Sequence, residues 1–167
     1  IIANQSNGRQ LTAVSMQGNT TKNYLDLKAP VQFKLEDDKA VVDAGETRWD
    51  FEQNQLSSKA PVSASLTKGE VHGVGFIIDI PGNTLTISNS CKVAQPDKNL
   101  SANRCSWNWK NDLLTAAGRV NLKESGSDQV KRADQMQSVF NPDGSMRFSP
   151  SQNRVKTQIQ LESGKNN

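Results

Sequence analysis

The sequence predicts an all-β protein: an open, elongated antiparallel β-jellyroll, built from repeated rungs that stack like a solenoid. Three observations predict this fold, namely a sequence repeat, segments in which apolar and polar residues alternate, and turn residues between those segments. The chain has 167 residues, enough for one domain with its own core. We expect a single domain over residues 1–167, with a repeat core at about 13–123 and a less regular part at 124–167.

The repeat is clearest in two copies of the string KAPV. Val31 ends the first copy and Val62 ends the second, 31 residues later. We place a third copy at Val93 and a fourth at Val120. An aliphatic residue stands six positions before each valine, and a small residue stands 18 positions before it: Leu25, Leu56, Ile87 and Leu114, and Ala13, Ala44, Gly75 and Ala102. Regular self-similarity of this kind indicates stacked structural units.

Strands are predicted wherever apolar residues recur at every second position. Residues 31–35 and 62–66 follow this period, and Val74, Phe76, Ile78 and Ile80 follow it in the next segment. Such a period places one face of a strand inward and the other in water. Turn residues at 36–38, 67–69, 81–83 and 95–97 separate the segments. We expect roughly eight to ten short strands, a turn at 141–144, and final strands at 135–140 and 155–161.

The composition fits thin sheets with one solvated face, because hydrophobic residues make up only 34% of the chain. The net charge is +3, with 20 basic and 17 acidic residues interspersed. This pattern argues against a nucleic-acid partner, since basic residues are not clustered. No apolar run approaches the roughly 18 residues of a membrane helix. We expect that the sequence begins after a targeting or anchoring segment.

The segment 60–93 resembles the periplasmic lipopolysaccharide-transport bridge family, which comprises LptC, LptA and OstA-like domains. The resemblance lies in Ala60-Pro61-Val62, the string Gly73-Val74-Gly75-Phe76, Asp79 and the strand from Leu85 to Val93, and it extends over about 13–120. We place LptC first, because strings of the form AxxxxW alternate with the APV rungs.

The resemblance implies a periplasmic protein tethered to the inner membrane by an N-terminal helix. Such a protein accepts lipopolysaccharide or a similar glycolipid from an inner-membrane ABC transporter and passes it toward the outer membrane. Further β-jellyroll bridge proteins would join it by pairing of edge strands. Apolar residues that line an open jellyroll would hold the acyl chains, because burial of each methylene group gains roughly 0.8 kcal/mol.

For this lipid-binding groove we predict the inward residues of successive rungs. The alternative for each of them is ordinary core packing. The predicted residues are Val31, Phe33, Leu35, Val62, Leu66, Val74, Phe76, Ile78, Ile80, Leu85, Ile87, Val93, Val120 and Leu122.

The two cysteines and the three tryptophans each allow two interpretations. Cys91 and Cys105 either form a disulfide, worth roughly 3 kcal/mol in the loop-entropy model, or remain two buried thiols. Trp49, Trp107 and Trp109 either cap rungs or stack on sugar. The repeat places Trp49 and Trp107 in one column, 13 residues before Val62 and Val120 respectively, which favours a structural role.

We predict no enzyme activity, cofactor or metal. His72 is the only histidine, so a catalytic triad would depend on it alone and a histidine-based metal site lacks a second ligand. The acidic run at 36–38 lacks calcium-loop spacing, and we interpret it as a hairpin turn. Two other functions remain open: carbohydrate binding by exposed aromatic residues, and a structural β-repeat protein without a ligand.

Overall fold

The computed structural model describes residues 1–5, 8–19, 21–151 and 156–159, and within them sixteen strands form one antiparallel sheet. The predicted all-β architecture is thereby confirmed. A 3₁₀ turn at Glu36–Asp38 joins two of the strands. The strands are β1 Ile2–Asn4, β2 Gln10–Ala13, β3 Met16–Asn19, β4 Tyr24–Leu27, β5 Val31–Lys34, β6 Ala40–Ala44, β7 Thr47–Asp50, β8 Gln55–Leu66, β9 Gly69–Asp79, β10 Thr84–Gln95, β11 Lys98–Ala102, β12 Arg104–Asn108, β13 Leu113–Glu124, β14 Gln129–Val139, β15 Ser149–Pro150 and β16 Lys156–Ile159.

Strands β8, β9, β10, β13 and β14 are 11 or 12 residues long, longer than the short strands that we predicted. β8, β10, β13 and β14 pair with different partners at their two ends, whereas β9 pairs with β8 and β10 along its whole length. Where these long strands pair with one another, the register shifts near the middle. Such bulges bend a strand. Each long strand therefore runs through one layer of the fold, bends, and continues in a second layer.

Some consecutive short strands together correspond to one long bent strand that is interrupted at the bend. β6 and β7 form one such pair, because they pair with the two halves of β8. β11 and β12 form another, because they pair with the two halves of β10. β4 and β5 form a third, because they pair with β7 and β6 respectively. The first layer contains β3, β4, β7, β12, β15 and the residues 55–58, 76–79, 84–87, 113–117 and 135–139. The second layer contains β1, β2, β5, β6, β11, β16 and the residues 61–66, 69–74, 91–95, 120–124 and 129–133.

Residues in the left-handed backbone region mark both the bends and the hairpin tips. At the bends, Gly75 of β9 has φ +77° and Gly118 of β13 has φ +78°, a conformation that glycine adopts without steric cost. At the first-layer tips, positive φ values recur at Asn23, Asn54, Asn83 and Asp112. Asparagine and aspartate tolerate this conformation better than other residues with side chains. Each of these four residues directly precedes a first-layer strand.

The structure corrects the third copy of the repeat, which we had placed two residues too late. Leu85, not Ile87, matches Leu56 and Leu114, because Leu85 and Leu114 both pair with Trp107 as Leu56 pairs with Trp49. The position of Val62 is likewise taken by Cys91, which pairs with Ala102 as Val62 pairs with Ala44. The column therefore reads Val31, Val62, Cys91 and Val120, with spacings of 31, 29 and 29 residues.

The two layers face each other and enclose one apolar core. Residues of both layers, such as Val71 of the second and Leu85 of the first, line the same interior space. The layers are continuous at the bends, and we call the opposite side, where the hairpin tips of the two layers approach each other, the mouth. First-layer tips lie at 51–54, 80–83 and 109–112, and second-layer tips at 35–39, 67–68 and 96–97.

The C-terminal predictions hold in part. The predicted strand at 135–140 forms the end of β14 and stops at Val139. The predicted turn at 141–144 is present, since the amide of Gly144 donates to the carbonyl oxygen of Asn141 at 2.8 Å. Of the predicted strand 155–161, residues 156–159 form β16 and the rest lie outside the described residues. Nowhere in the described chain is there a helix with the length and apolar character that crossing a membrane requires.

Candidate functional site

The space between the layers is lined by nearly all of the predicted inward residues. Leu66 is partly buried and packs against the core. Twelve others are buried: Val31, Phe33, Leu35, Val62, Phe76, Ile78, Ile80, Leu85, Ile87, Val93, Val120 and Leu122. In β8, β10 and β13 the inward residues keep the same period of two before and after the bend. Alternation in the sequence therefore identifies them even though the bend itself is not predicted.

Val74 is the exception, because its side chain lies on the outer surface and is 41% exposed. The cause is the backbone of Gly75, whose positive φ changes the phase of alternation within β9. Beyond this glycine, Phe76 and Ile78 face inward, while before it the inward residue is Val71. Val74 therefore does not line the interior, and Val71 belongs in its place.

Other interior residues were missed for identifiable reasons. Ala64 follows Val62 at the inward period but is small, and Met136 follows the phase of the last long strand. Both carry an alternation signal that would have found them. Met146 is buried although it belongs to no strand, and no periodic signal marks it.

The interior is well packed. The cavity between the layers has a volume of about 10 Å³, and Ala64, Leu66, Val71, Leu85, Ile87, Cys105, Trp107 and Leu114 line it. This volume is close to the minimum that one water molecule needs. Among the described residues, the apolar side chains around this cavity leave only that small volume between them.

One set of contacts closes the mouth between the β5–β6 turn and the β12–β13 turn. We call Glu36, Lys39, Trp109 and Asp112 the clamp. The indole nitrogen of Trp109 donates to Glu36 Oε1 at 3.3 Å, and Lys39 Nζ donates to the carbonyl oxygen of Trp109 at 2.9 Å. Lys39 also lies 3.5 Å from Asp112 Oδ1. The clamp thus joins the tips of the two layers.

Arg9 supports the clamp from the side. Its guanidinium donates to Glu36 Oε1 at 2.8 Å and lies 6.0 Å from the ring centroid of Trp109. The hydrogen bond from Arg9, together with its positive charge, lowers the pKa of the Glu36 carboxyl below its ordinary value. The carboxylate therefore stays ionised and remains an acceptor for the Trp109 indole.

A second set of contacts closes the mouth with residues 140–148, which we call the strap. The strap leaves the end of β14 and reaches the tips of the second layer. Lys68 Nζ lies 3.2 Å from Asp143 Oδ2, and Gln95 Nε2 donates to the carbonyl oxygens of Lys68 and Gly144 at 2.9 and 3.4 Å. Met146 inserts its side chain into the core, and Lys98 Nζ donates to its carbonyl oxygen.

Asp143 shapes the turn at the start of the strap. Its Oδ1 accepts hydrogen bonds from the amide and the hydroxyl of Ser145, at 3.0 and 2.6 Å. These bonds, with the contact from Lys68, lower the pKa of Asp143 from 3.8 to about 2. The turn therefore keeps its charged acceptor until the pH falls toward that value.

Cys91 and Cys105 meet near the bend of β10. The two sulfur atoms are 2.04 Å apart and the Cα atoms 5.9 Å apart, as in a disulfide bond. Cys91 belongs to the second-layer half of β10, whereas Cys105 belongs to β12 in the first layer. The bond thus ties the two layers together through the interior.

The tryptophans do not form an exposed aromatic platform. Trp107 and Trp109 are buried, and their ring centroids are 6.4 Å apart. Trp49 is partly buried against the core and contacts the exposed ring of Phe51 at 5.0 Å. The burial of Trp49 and Trp107 agrees with a structural role at their shared repeat position. Of these four aromatic residues, Phe51 is the one with an exposed ring.

A cleft with a volume of about 780 Å³ lies on the outer side of the bend. Four of its charged residues form two pairs: Arg48 with Asp26 at 2.8 Å, and Lys28 with Glu46 at 3.1 Å. The bond from Arg48 lowers the pKa of Asp26. The charges of these pairs cancel, so the remaining charge on the cleft lining is that of Lys59.

The remaining polar candidates lie on solvated surfaces. His72 is exposed and contacts the carboxylate of Glu70 at 2.9 Å. Within the described residues, no three His, Cys, Asp or Glu side chains are grouped closely enough to hold a metal ion. The acidic run at 36–38 forms a 3₁₀ turn in the loop between two strands, as a turn was predicted there.

These features together define a class: an open, bent β-jellyroll with an apolar interior between two layers and a mouth closed by side-chain contacts. No family model matches the sequence. No curated protein matches it either.

The fold is similar to a solved structure, that of LptH from Pseudomonas aeruginosa. The TM-score is 0.56 with 12% sequence identity, and the match covers 92% of this chain and 95% of that one. LptH is described as the LptA-homologous periplasmic component of the conserved lipopolysaccharide transport device. At this identity the likeness shows a shared fold, and it confirms the predicted β-jellyroll.

Proposed function

We propose that the chain is a lipid-binding bridge component that carries lipopolysaccharide or a similar glycolipid across the periplasm. The observation that supports the proposal most is the architecture: the chain shares the fold of LptH over nearly its whole length. In this fold the inward faces of both layers are apolar from Leu11 to Met136. An apolar interior of this length suits acyl chains, while a sugar-phosphate head group would stay in water at the mouth.

The two edges of the sheet support a bridge role. Among the described residues, β1 pairs only with β2 and β3 only with β4, so their outer backbone groups are unpaired. Four apolar residues are exposed at this edge: Ile1, Ile2, Val14 and Met16. Unpaired edges with apolar side chains favour addition of a strand from another protein. Further β-jellyroll proteins would dock here or at the opposite edge, formed by β15 and β16.

Within such a bridge the chain would stand either at the inner membrane, as an LptC-like component, or further along, as an LptA-like component. The sequence strings favour an LptC-like component, which an N-terminal helix tethers to the inner membrane and which receives lipid from an ABC transporter. The solved structure with the same fold is instead an LptA homologue. The proposal includes no catalysis, since the apolar interior offers acyl chains burial without a nucleophile or an acid–base pair.

The packed interior favours a second candidate, a structural β-repeat protein without a ligand. Such a protein needs only the core that the structure shows, with its cavity of about 10 Å³. The sugar-binding alternative needs an exposed aromatic platform, and Trp107 and Trp109 are buried. The choice is thus between a lipid conduit and a spacer.

Photo-crosslinking to purified lipopolysaccharide separates these two candidates. The photoreactive amino acid p-benzoylphenylalanine is placed at Phe76, which is buried between the layers, and in a matched protein at Phe51, which is 46% exposed. Both sites replace a phenylalanine with a larger aromatic residue. A conduit predicts a lipid adduct at position 76 and little or none at position 51, detected by mass spectrometry of the folded proteins.

The inward site carries a risk, because a larger ring at a buried position disturbs packing. Native mass spectrometry of the unmodified chain with lipopolysaccharide therefore accompanies the crosslinking. A stoichiometric complex that Phe76→Asp abolishes and Ile77→Asp retains would support the conduit, since Ile77 is the outward neighbour and 43% exposed. Absence of any complex with the unmodified chain would favour the spacer.

A further inference from the structure

An opening at the mouth leads to the small interior cavity. It lies between the clamp and the strap, has a volume of about 270 Å³, and is lined by Lys39, Leu66, Thr67, Trp107, Asp112, Phe140, Asn141, Pro142 and Gly144. Leu66 and Trp107 also line the interior cavity of about 10 Å³. These two side chains therefore lie between the opening and the interior cavity.

The indole N–H of Trp107 is a buried hydrogen-bond donor that has no acceptor among the described residues. The residue as a whole is 3% exposed. Buried donors normally have partners, and one without a partner destabilises the fold. One ring face of Trp107 stacks on Phe140 of the strap at a centroid distance of 5.6 Å. A ligand that supplies an oxygen atom here would satisfy this donor.

Two lysines lie at or beside the rim of the opening: Lys39 lines it and donates to the carbonyl oxygen of Trp109 at 2.9 Å, and Lys68 follows the lining residue Thr67. Lys39 Nζ is 3.5 Å from Asp112, and Lys68 Nζ is 3.2 Å from Asp143, with all four side chains at least one-third exposed. Exposed ion pairs of this kind contribute little stability. An anionic head group could therefore replace Asp112 and Asp143 as the partner of the two lysines.

The strap is the wall of the opening that contains no strand. Three of its side chains pack on the core: Met146 is buried, and Phe140 and Phe148 are partly buried. Its polar contacts with the second layer include hydrogen bonds and one exposed ion pair. Opening of the strap therefore means that Met146 leaves the core.

We propose that this opening is the port through which a single acyl chain with an anionic head group enters the interior. Leu66 and Trp107 form its floor, Lys39 and Lys68 bind the head group, and the strap moves outward with Met146 as the chain enters. The Trp107 indole donates to an oxygen next to the chain. The inference rests on the proposed function and adds where on the molecule the lipid enters.

Blocking the opening tests this port directly. Thr67 lies on its rim and is exposed, so Thr67→Cys offers a thiol for a bulky maleimide while Cys91 and Cys105 remain bonded. Ser125→Cys, on another exposed turn of the second layer, is the matched control. The measurement is binding of dansyl-undecanoate, an anionic single-chain lipid analogue whose emission rises in apolar surroundings. Labelling at position 67 should weaken binding at least about tenfold, and labelling at position 125 should not.

Quenching of tryptophan fluorescence by dibrominated stearate locates the bound chain. The bromine atoms quench an indole that they contact, so Trp107→Phe should remove most of the quenching and Trp49→Phe should retain it. Met146→Ala should speed binding of the probe, because the strap loses its buried anchor. If Thr67→Cys disturbs the fold, Asn141→Cys on the opposite rim replaces it.

The outcomes separate the port from the conduit. Equal binding after labelling at positions 67 and 125, with quenching unchanged in Trp107→Phe, would overturn the port while leaving an interior that binds lipid. No binding of dansyl-undecanoate, dibrominated stearate or lipopolysaccharide by the unlabelled chain would overturn the proposed function and the port with it. Blocked binding at position 67 alone supports both.

Discussion

Val71 and Val74 lie three residues apart on β9 and have opposite environments. Val71 is 5% exposed and packs in the core, whereas Val74 faces water. A regular strand would place residues 71 and 74 on opposite faces, but it would also place 74 and 76 on the same face. Gly75, with its positive φ, breaks this relation and turns Phe76 inward. One residue without a side chain thus determines which face of the strand meets the interior and which meets solvent.

This phase change predicts unequal effects of two matched substitutions. Val71→Ala should lower the free energy of unfolding by about 2 kcal/mol, because it removes buried methyl groups and leaves a cavity. Val74→Ala should change it by no more than about 0.5 kcal/mol, as at other exposed sites. Urea denaturation of the two variants measures both values. Equal losses at the two positions would contradict the burial that the structure shows.

At the scale of elements, the bent strands explain what sequence patterns reveal and what they hide. Alternation located the inward residues of β5 and β8, because both strands keep one phase through their length. It failed in β9, where Gly75 changes the phase, and in the third repeat, which we counted from Val93 rather than Cys91. Left-handed backbone positions and register shifts depend on pairing between strands, and a single sequence does not display that pairing.

The disulfide connects two such elements, the second-layer half of β10 and the first-layer strand β12. The double variant Cys91→Ser, Cys105→Ser should lower the free energy of unfolding by about 3 kcal/mol, because the unfolded chain regains the freedom of a loop closed across 14 positions. Chemical denaturation measures the loss. Unmodified chain with a reductant is the control and should show a similar loss, while a reductant should have no effect on the double variant.

At the scale of the whole molecule, the sheet formed by the described residues begins and ends in strands that pair on one side. The clamp and the strap were not predicted from the sequence, because contacts such as Lys39 with Asp112 join residues 73 positions apart. The elongated sheet with unpaired edges was predicted in outline, since an open jellyroll must have edges. Association through these edges would extend the apolar interior from one molecule to the next.

Charge at the first edge should therefore weaken self-association. Ile2→Lys and Met16→Lys place a cation beside the unpaired strands β1 and β3, both at exposed side chains. We expect each to lower the association constant about tenfold in sedimentation experiments. Ile77→Lys is the matched control, because Ile77 is exposed in the middle of the sheet, away from either edge. An equal effect of Ile77→Lys would indicate that the edge is not the contact.

The recurring Asn or Asp at the first-layer tips makes the length of this molecule modular. Residues 54–56 and 83–85 read Asn-Gln-Leu and Asn-Thr-Leu, and both place a left-handed residue before a strand that pairs with a tryptophan strand. Joining Gln55 directly to Leu85 would remove one complete unit and let β10 pair where β8 now does. Each unit contributes two strand spacings of about 4.8 Å. The distance that the molecule spans is therefore encoded by the number of its units, so that duplication or loss of a unit would change this distance in steps of roughly 10 Å while leaving both edges of the sheet intact.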